Sequence, residues 1–194
     1  MLGVLVAALA IPATVLLARG GSEPDFRGSE PPETQMLPAF QLHDEQGRLV
    51  RSADLGGKAL AVTFLDTECT EACPIIAAQM SQAVKALGSE RPSVAALAIT
   101  VDPVGDTPQR IEGFLARYRA TGALRYLDGT VADLRPVWRG FQVASSLDTG
   151  DSNMHSAPVR VYDRQGRWRS TLHAGVDLTA ATLAHDLREA LSAT

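Results

Sequence analysis

The sequence predicts an α/β fold: a central mixed β-sheet flanked by helices, with an N-terminal hairpin extension. Three observations predict it. Two continuous apolar runs with β-branched members, ALAVTFL (Ala59–Leu65) and SVAALAITVD (93–102), suit strands buried on both faces. A helical pattern follows each run. A late pair of short strands, APVRVYDRQGRWRSTL, then leads into a closing amphipathic helix.

The elements follow in chain order. Residues 2–18, LGVLVAALAIPATVLLA, carry no charge and would span about 26 Å as a helix, near the lower limit for crossing a bilayer. No basic flank precedes the run and no A-x-A cleavage site is evident, so residues 1–18 are expected to be an N-terminal membrane anchor rather than a cleaved signal segment. The soluble part is then extracytoplasmic, where thiols are not held reduced by default. Residues 19–36, rich in Gly, Pro, Ser and Glu, are expected to form a flexible linker, and 37–194 the folded domain. No internal repeat is visible.

Within that domain, short alternating runs around a D-x-Q-G turn predict a hairpin over 40–50. The strand Ala59–Leu65 ends at a turn containing Cys69 and Cys73, and Pro74 fits the first turn of a helix running to about Leu87. After the strand over 93–102, Asp106-Thr107-Pro108 opens a second helix with apolar residues at Ile111, Phe114, Leu115 and Tyr118. A weaker helix is expected over 131–139. Two strands joined by a tight turn at 164–166 and a helix with Leu178, Leu183, Leu187 and Leu191 near one face complete the chain. A β-α-β unit followed by a hairpin and a packing helix describes a thioredoxin-like sheet between helices.

Composition narrows the function. The net charge is −4 with charges mixed along 194 residues, and no basic stripe gives electrostatic support for nucleic-acid binding. Two cysteines are too few for a disulfide framework, and a domain of this size folds without one. The pair therefore needs a local explanation.

Cys69 and Cys73 fall where a strand hands over to a helix. The exposed N–H groups and the macrodipole of a helix N-terminus stabilise thiolates there. The C-x-x-x-C spacing is one residue longer than that of a thioredoxin-type couple, which leaves room for an ion while permitting a disulfide. A structural staple, a redox couple and a soft-metal site all remain open, the staple weakest because so short a loop gains little from closure. Two thiolates select Cu(I) or Zn, and a third ligand would complete a site. Among four histidines, His155 ends a polar loop just before the late strand, on the side of the cysteine turn. His43, His173 and His185 read as structural or solvated.

These residues resemble the Sco/SenC family, membrane-tethered thioredoxin-like copper chaperones of cytochrome c oxidase assembly. The resemblance rests on CTEACP, on TVDPVGDTPQRIEGFLARY after the second core strand, and on MHS before the late strand, in that order. It implies that Cys69, Cys73 and His155 bind copper, as Cu(I) or Cu(II), and that the metal goes to the dinuclear copper site of cytochrome c oxidase subunit II. It also implies a second copper chaperone or a thioredoxin-like reductant as partner. The alternative is an extracytoplasmic thiol-disulfide oxidoreductase in which Cys69 and Cys73 form the redox-active pair. Two departures stand out. Thr70 and Glu71 occupy positions where the family commonly has Pro and Asp. Pro158 stands where thioredoxin-like reductases carry a cis-proline facing their cysteines, so a cis Ala157–Pro158 peptide is expected.

Other signals read as structural. Asp106 before Thr-Pro is expected to cap the second helix and Asp102-Pro103 to form a turn. Met154, beside His155, is expected to pack, as are Trp138, Phe141 and Trp168.

Overall fold

The computed structural model describes residues 25–151 and 153–193. Seven strands form one sheet: β1 (Gln41–Asp44), β2 (Leu49–Arg51), β3 (Ala59–Leu65), β4 (Val94–Thr100), β5 (Arg125–Asp128), β6 (Val159–Tyr162) and β7 (Trp168–Leu172), in the order β2-β1-β5-β4-β3-β6-β7. The helices are α1 (Ala72–Ala86), α2 (Pro108–Arg117), α3 (Val131–Gly140), α4 (Ser146–Thr149) and α5 (Ala180–Ser192). Strands β3, β4 and β5 are parallel, and every other pairing is antiparallel. The sheet is therefore mixed, with the hairpin β1–β2 laid against β5.

The two central strands read as unbroken apolar runs because both faces of the sheet are covered. Along β3, Ala59, Ala61 and Leu65 face one core while Leu60, Val62 and Phe64 face the other. Small residues dominate the first face, Ala59, Ala61, Ala96 and Ala98 among them, so α1 and α5 pack close to the sheet there. On the opposite face α3 contributes Leu134, Val137 and Trp138, and Phe141 just beyond it stacks edge-on against Phe64 at 5.1 Å.

Helix starts follow local chemistry. Thr107 caps α2, its hydroxyl accepting the Arg110 N–H, with Pro108 following. Thr130 and Asp133 form a reciprocal capping box at α3, and Thr179 and Thr182 do so at α5. The start of α1 differs: Glu71 occupies the capping position and makes no side-chain cap bond.

Three expectations need correction. Strand β5 was not anticipated, since RYLD is short and its end positions are charged, and α4 is a single turn. Nor is all of 19–36 a free linker. Ser29 bridges Thr171 and Met36 bridges Arg167, while the buried Asp186 carboxylate accepts the N–H groups of Arg27 and Gly28 at 2.8 and 3.1 Å and the Ser170 hydroxyl at 2.6 Å. Gly28 permits this contact, because a Cβ there would sit 2.6 Å from the Thr171 carbonyl oxygen. Proline and glutamate content signalled low helix and strand propensity, but a strap needs only bonding partners. Third, no peptide bond among the described residues is cis, so Ala157–Pro158 is trans. The ordinary trans preference of X–Pro bonds prevails because the loop is tied elsewhere, through Ser156 N–H to the Ala144 carbonyl and Ala144 N–H to the Ser156 hydroxyl.

Among the described residues no helix is long and apolar enough to cross a membrane. The expected anchor over 2–18 lies outside the described residues.

Candidate metal site

The fold brings together the residues that the sequence singled out. Strand β3 delivers the turn bearing Cys69, α1 begins one residue before Cys73, and the loop ahead of β6 carries His155 to the same place. The donor atoms of Cys69, Cys73 and His155 lie within 4.8 Å of one another. His155 Nε2 stands 3.3 Å from Cys73 Sγ, and its Nδ1 faces the Ser156 carbonyl at 3.3 Å. The cysteines are buried and unbridged, and His155 is half-buried. Of the other histidines, His185 bonds the Asp25 carbonyl at 2.7 Å and His43 lies on β1 opposite Asp128; with His173 they stay outside the cluster.

The missing side-chain cap on α1 now has a cause. The sulfur of Cys69 takes that role, accepting the Cys73 N–H at 3.5 Å. A thiolate there is stabilised by the helix N-terminus. The thiol of Cys73 donating to Cys69, opposed by burial and aided by His155 and the backbone N–H groups, pulls Cys69 down to about 4. Its partner moves the other way: serving as donor to Cys69, and buried, Cys73 is pushed far above the ordinary thiol range. Burial alone would lower His155, but its bonds to Cys69 and the Ser156 carbonyl outweigh this and raise it. At neutral pH the pair holds one proton, with the charge on Cys69.

Two carboxylates fix this geometry, one expected only as a helix cap and the other without a signal that the sequence reading used. Asp106 does not cap α2, since Thr107 does. Its buried carboxylate instead accepts the Thr67 N–H and hydroxyl at 2.8 and 2.6 Å, the Thr100 hydroxyl at 2.6 Å and the Tyr126 hydroxyl at 2.6 Å. It thereby ties the cysteine loop to β4 and β5. Asp66, directly after β3, accepts the Glu68 N–H at 2.7 Å and the Ser146 hydroxyl at 2.8 Å, linking the cysteine loop to α4. Burial pushes both carboxyls up against these bonds. An acid abutting a doubly buried strand is the available signal for Asp66; Asp106 has none, because its three partner residues converge only in space.

The loop bearing His155 is held in turn. Thr70 N–H donates to Asn153 Oδ1 at 3.1 Å, joining the two loops across the site. Glu71 reaches Cys69 through its backbone N–H. Met154 is 63% exposed, so it does not pack as expected; the polar loop leaves it no core to enter. Asp102 forms the expected turn, accepting the Val104 N–H at 3.2 Å.

This arrangement admits two chemistries: gripping one soft ion between two sulfurs and an imidazole, or exchanging electrons through a Cys69–Cys73 disulfide. The family model for SCO1/SenC matches residues 28–192. The chain belongs to the SCO1/SenC family. The SCO2-like protein of Rickettsia prowazekii is 25% identical to this member over 145 residues, 73% of this chain and 70% of that protein. The copper-bound structure of Bradyrhizobium japonicum ScoI superposes with a TM-score of 0.68 at 29% identity, over 79% of this chain and 98% of that one. BsSco, a member of the Sco family of cytochrome c oxidase assembly proteins in which a disulfide switch was identified, gives a TM-score of 0.70 at 22% identity. It covers 86% of this SCO1/SenC chain and 99% of its own, and at that identity the likeness is one of fold.

Proposed function

We propose that this SCO1/SenC protein is a copper metallochaperone that holds one copper ion on Cys69, Cys73 and His155 and delivers it to the dinuclear copper site of cytochrome c oxidase subunit II. The observation that carries the reading is the convergence of two sulfurs and one imidazole nitrogen within 4.8 Å at the mouth of a helix. The donor set fits the cargo: thiolates are soft, Cu(I) accepts low coordination numbers, and the imidazole adds affinity for Cu(II). Cys69 presents a thiolate at neutral pH, whereas Cys73 surrenders its proton as the ion enters. Asp106 and Asp66 keep the loops at the spacing the ion requires. The chain acts on the extracytoplasmic face, anchored through residues 1–18, and receives copper from another chaperone.

A second reading, thiol-disulfide reductase, is favoured by the asymmetry of the pair. The low Cys69 value supplies a nucleophilic thiolate beside a protonated Cys73. Attack of Cys69 on a partner disulfide would form a mixed disulfide and release one partner thiolate, which takes up a proton. Cys73, after losing its proton, would then displace the second partner sulfur and close Cys69–Cys73. Two electrons pass to the partner, and a thioredoxin-like reductant restores the dithiol.

Titrating the reduced protein with Cu(I) against a competing chelator tests the leading reading. One copper per chain is expected, with tight binding abolished in both Cys69→Ser and Cys73→Ser. Unchanged affinity in both variants would exclude this site.

A further inference from the structure

Among the described residues, Arg160 on β6 is a cation without a counter-ion. Arg167, just before β7, and Arg169 on it both pair with the buried Asp163 carboxylate. Among the described residues Arg160 has no ion pair, and its Nε is buried with no hydrogen-bond partner. The guanidinium instead lies over the Trp168 ring, Cζ 4.3 Å from the centroid, which holds the planar fork in one orientation. The Tyr162 hydroxyl accepts from the same guanidinium but brings no charge to balance it.

Arg160 also lines a groove of about 400 Å³, together with Ala72, Gln142, Ser156, Ala157, Pro158 and His173. No carboxylate lines it, in a chain whose net charge is −4. Its position ties it to the metal site: Ala72 lies between the two cysteines and Ala157 two residues beyond His155. Ala72, Ala157 and Ala174 keep part of the wall low enough for a backbone to approach, while Gln142, Ser156 and His173 make the rest polar. Exposed apolar side chains come from the same elements: Ile75 in the first turn of α1, Met154 beside His155, and Val176 beyond the end of β7.

We infer that this groove docks an extended, acidic segment of a partner protein, a partner carboxylate pairing with Arg160 while adjacent partner residues face the sulfurs. The inference rests on the proposed exchange function, which requires a partner's ligands to reach Cys69 and Cys73. The terminal nitrogens of Arg160 receive the carboxylate, and Trp168 keeps the guanidinium from folding back. The same contact sets the register of the segment along the groove, so recognition and transfer geometry are fixed together.

The test uses the whole reduced chain and two uncharged-end peptides, acetyl-Ala-Glu-Ala-Glu-Ala-amide and its Gln counterpart, with sodium glutamate as a small-anion control. Binding is read from the NMR resonances of Arg160 Nε–H and Trp168 Nε1–H. The Glu peptide is expected to bind at millimolar concentration and about tenfold more tightly than the Gln peptide, with Arg160→Met abolishing the difference and Arg160→Lys restoring part of it. Copper affinity in Arg160→Met should equal that of the parent, which separates this inference from the metal reading. Equal binding of the two peptides, or no shift at millimolar peptide, would overturn it without any variant. Saturation by glutamate at the same concentration as the peptide would also overturn it, by making the groove a small-anion site.

Discussion

Asp106 and Thr67, 39 residues apart in sequence, are joined twice: the Thr67 N–H and hydroxyl both donate to Asp106 Oδ1, at 2.8 and 2.6 Å. Because Oδ2 simultaneously takes the hydroxyls of Thr100 and Tyr126, the loop before Cys69 is registered against two strands. Asp106→Ala would leave these donors buried and unpaired, at a cost of about 3 kcal/mol in stability. Asp106→Asn keeps an acceptor for the Thr67 N–H and should cost less. Chemical denaturation of both variants checks the order, and Cu(I) affinity should fall with it; an alanine variant as stable as the parent would refute the role.

His155→Ala separates the two chemistries of the site. Imidazole is a metal donor but not a member of a disulfide couple, so copper binding should weaken far more than thiol exchange. Cu(II) should suffer most. Copper affinity, the Cys69–Cys73 potential and oxidase activity in cells are to be measured in the same variant. Intact copper binding and oxidase activity alongside lost reductase activity would replace the chaperone reading with the reductase one.

The cysteines should titrate far apart. Thiolate absorbance near 240 nm in the reduced, metal-free protein should persist as pH falls until about 4, the Cys69 value, and show no second rise through the ordinary thiol range. Since the folded value lies below the unfolded one, this group's contribution to stability is complete above the unfolded thiol range and is lost as pH falls through about 4. Cys69→Ser should abolish the neutral-pH band. A single midpoint near 9 for both thiols would contradict the arrangement.

Acid should loosen the N-terminal hairpin through Asp44. Burial pushes its carboxyl up, but Arg125 and Arg48 side chains and the Arg48 and Gln46 N–H groups outweigh this and hold it at about 2. The folded value is depressed, so the stabilisation is present above the unfolded value near 4 and disappears as pH falls through about 2. Its size is about 2 kcal/mol. Asp44→Asn should lose that amount at pH 7 and very little at pH 2, as read from denaturation midpoints. Equal losses at both pH values would assign the effect to packing.

The parts of the fold legible in the sequence were those that rest on local chemistry. Ala59–Leu65 and Val94–Thr100 announce themselves because a strand covered on both faces has no polar position to interrupt it. Helix α2 is legible from the Asp-Thr-Pro start, but the cap is Thr107 and not the expected Asp106, whose carboxylate turns inward. Strand β5 escaped because four residues with charged ends carry no periodicity. Cys69, Cys73 and His155 are visible as residue types near strand ends, and their convergence is a property of topology. Asp106, Asp66 and the Arg160 groove were hidden for the same reason: each draws partners from several distant segments.

The strap held by Asp186 shortens the leash. Residues 27–36, stitched to β7 and α5, would extend over roughly 33 Å if free, at about 3.3 Å each. Stitched down, they add none of that reach. With the chain anchored through residues 1–18 as proposed, the thiol pair would patrol a smaller volume, and a partner fixed in that volume would meet it at a higher local concentration. Lengthening the leash by releasing the strap, as in Asp186→Ala, trades encounter frequency for range.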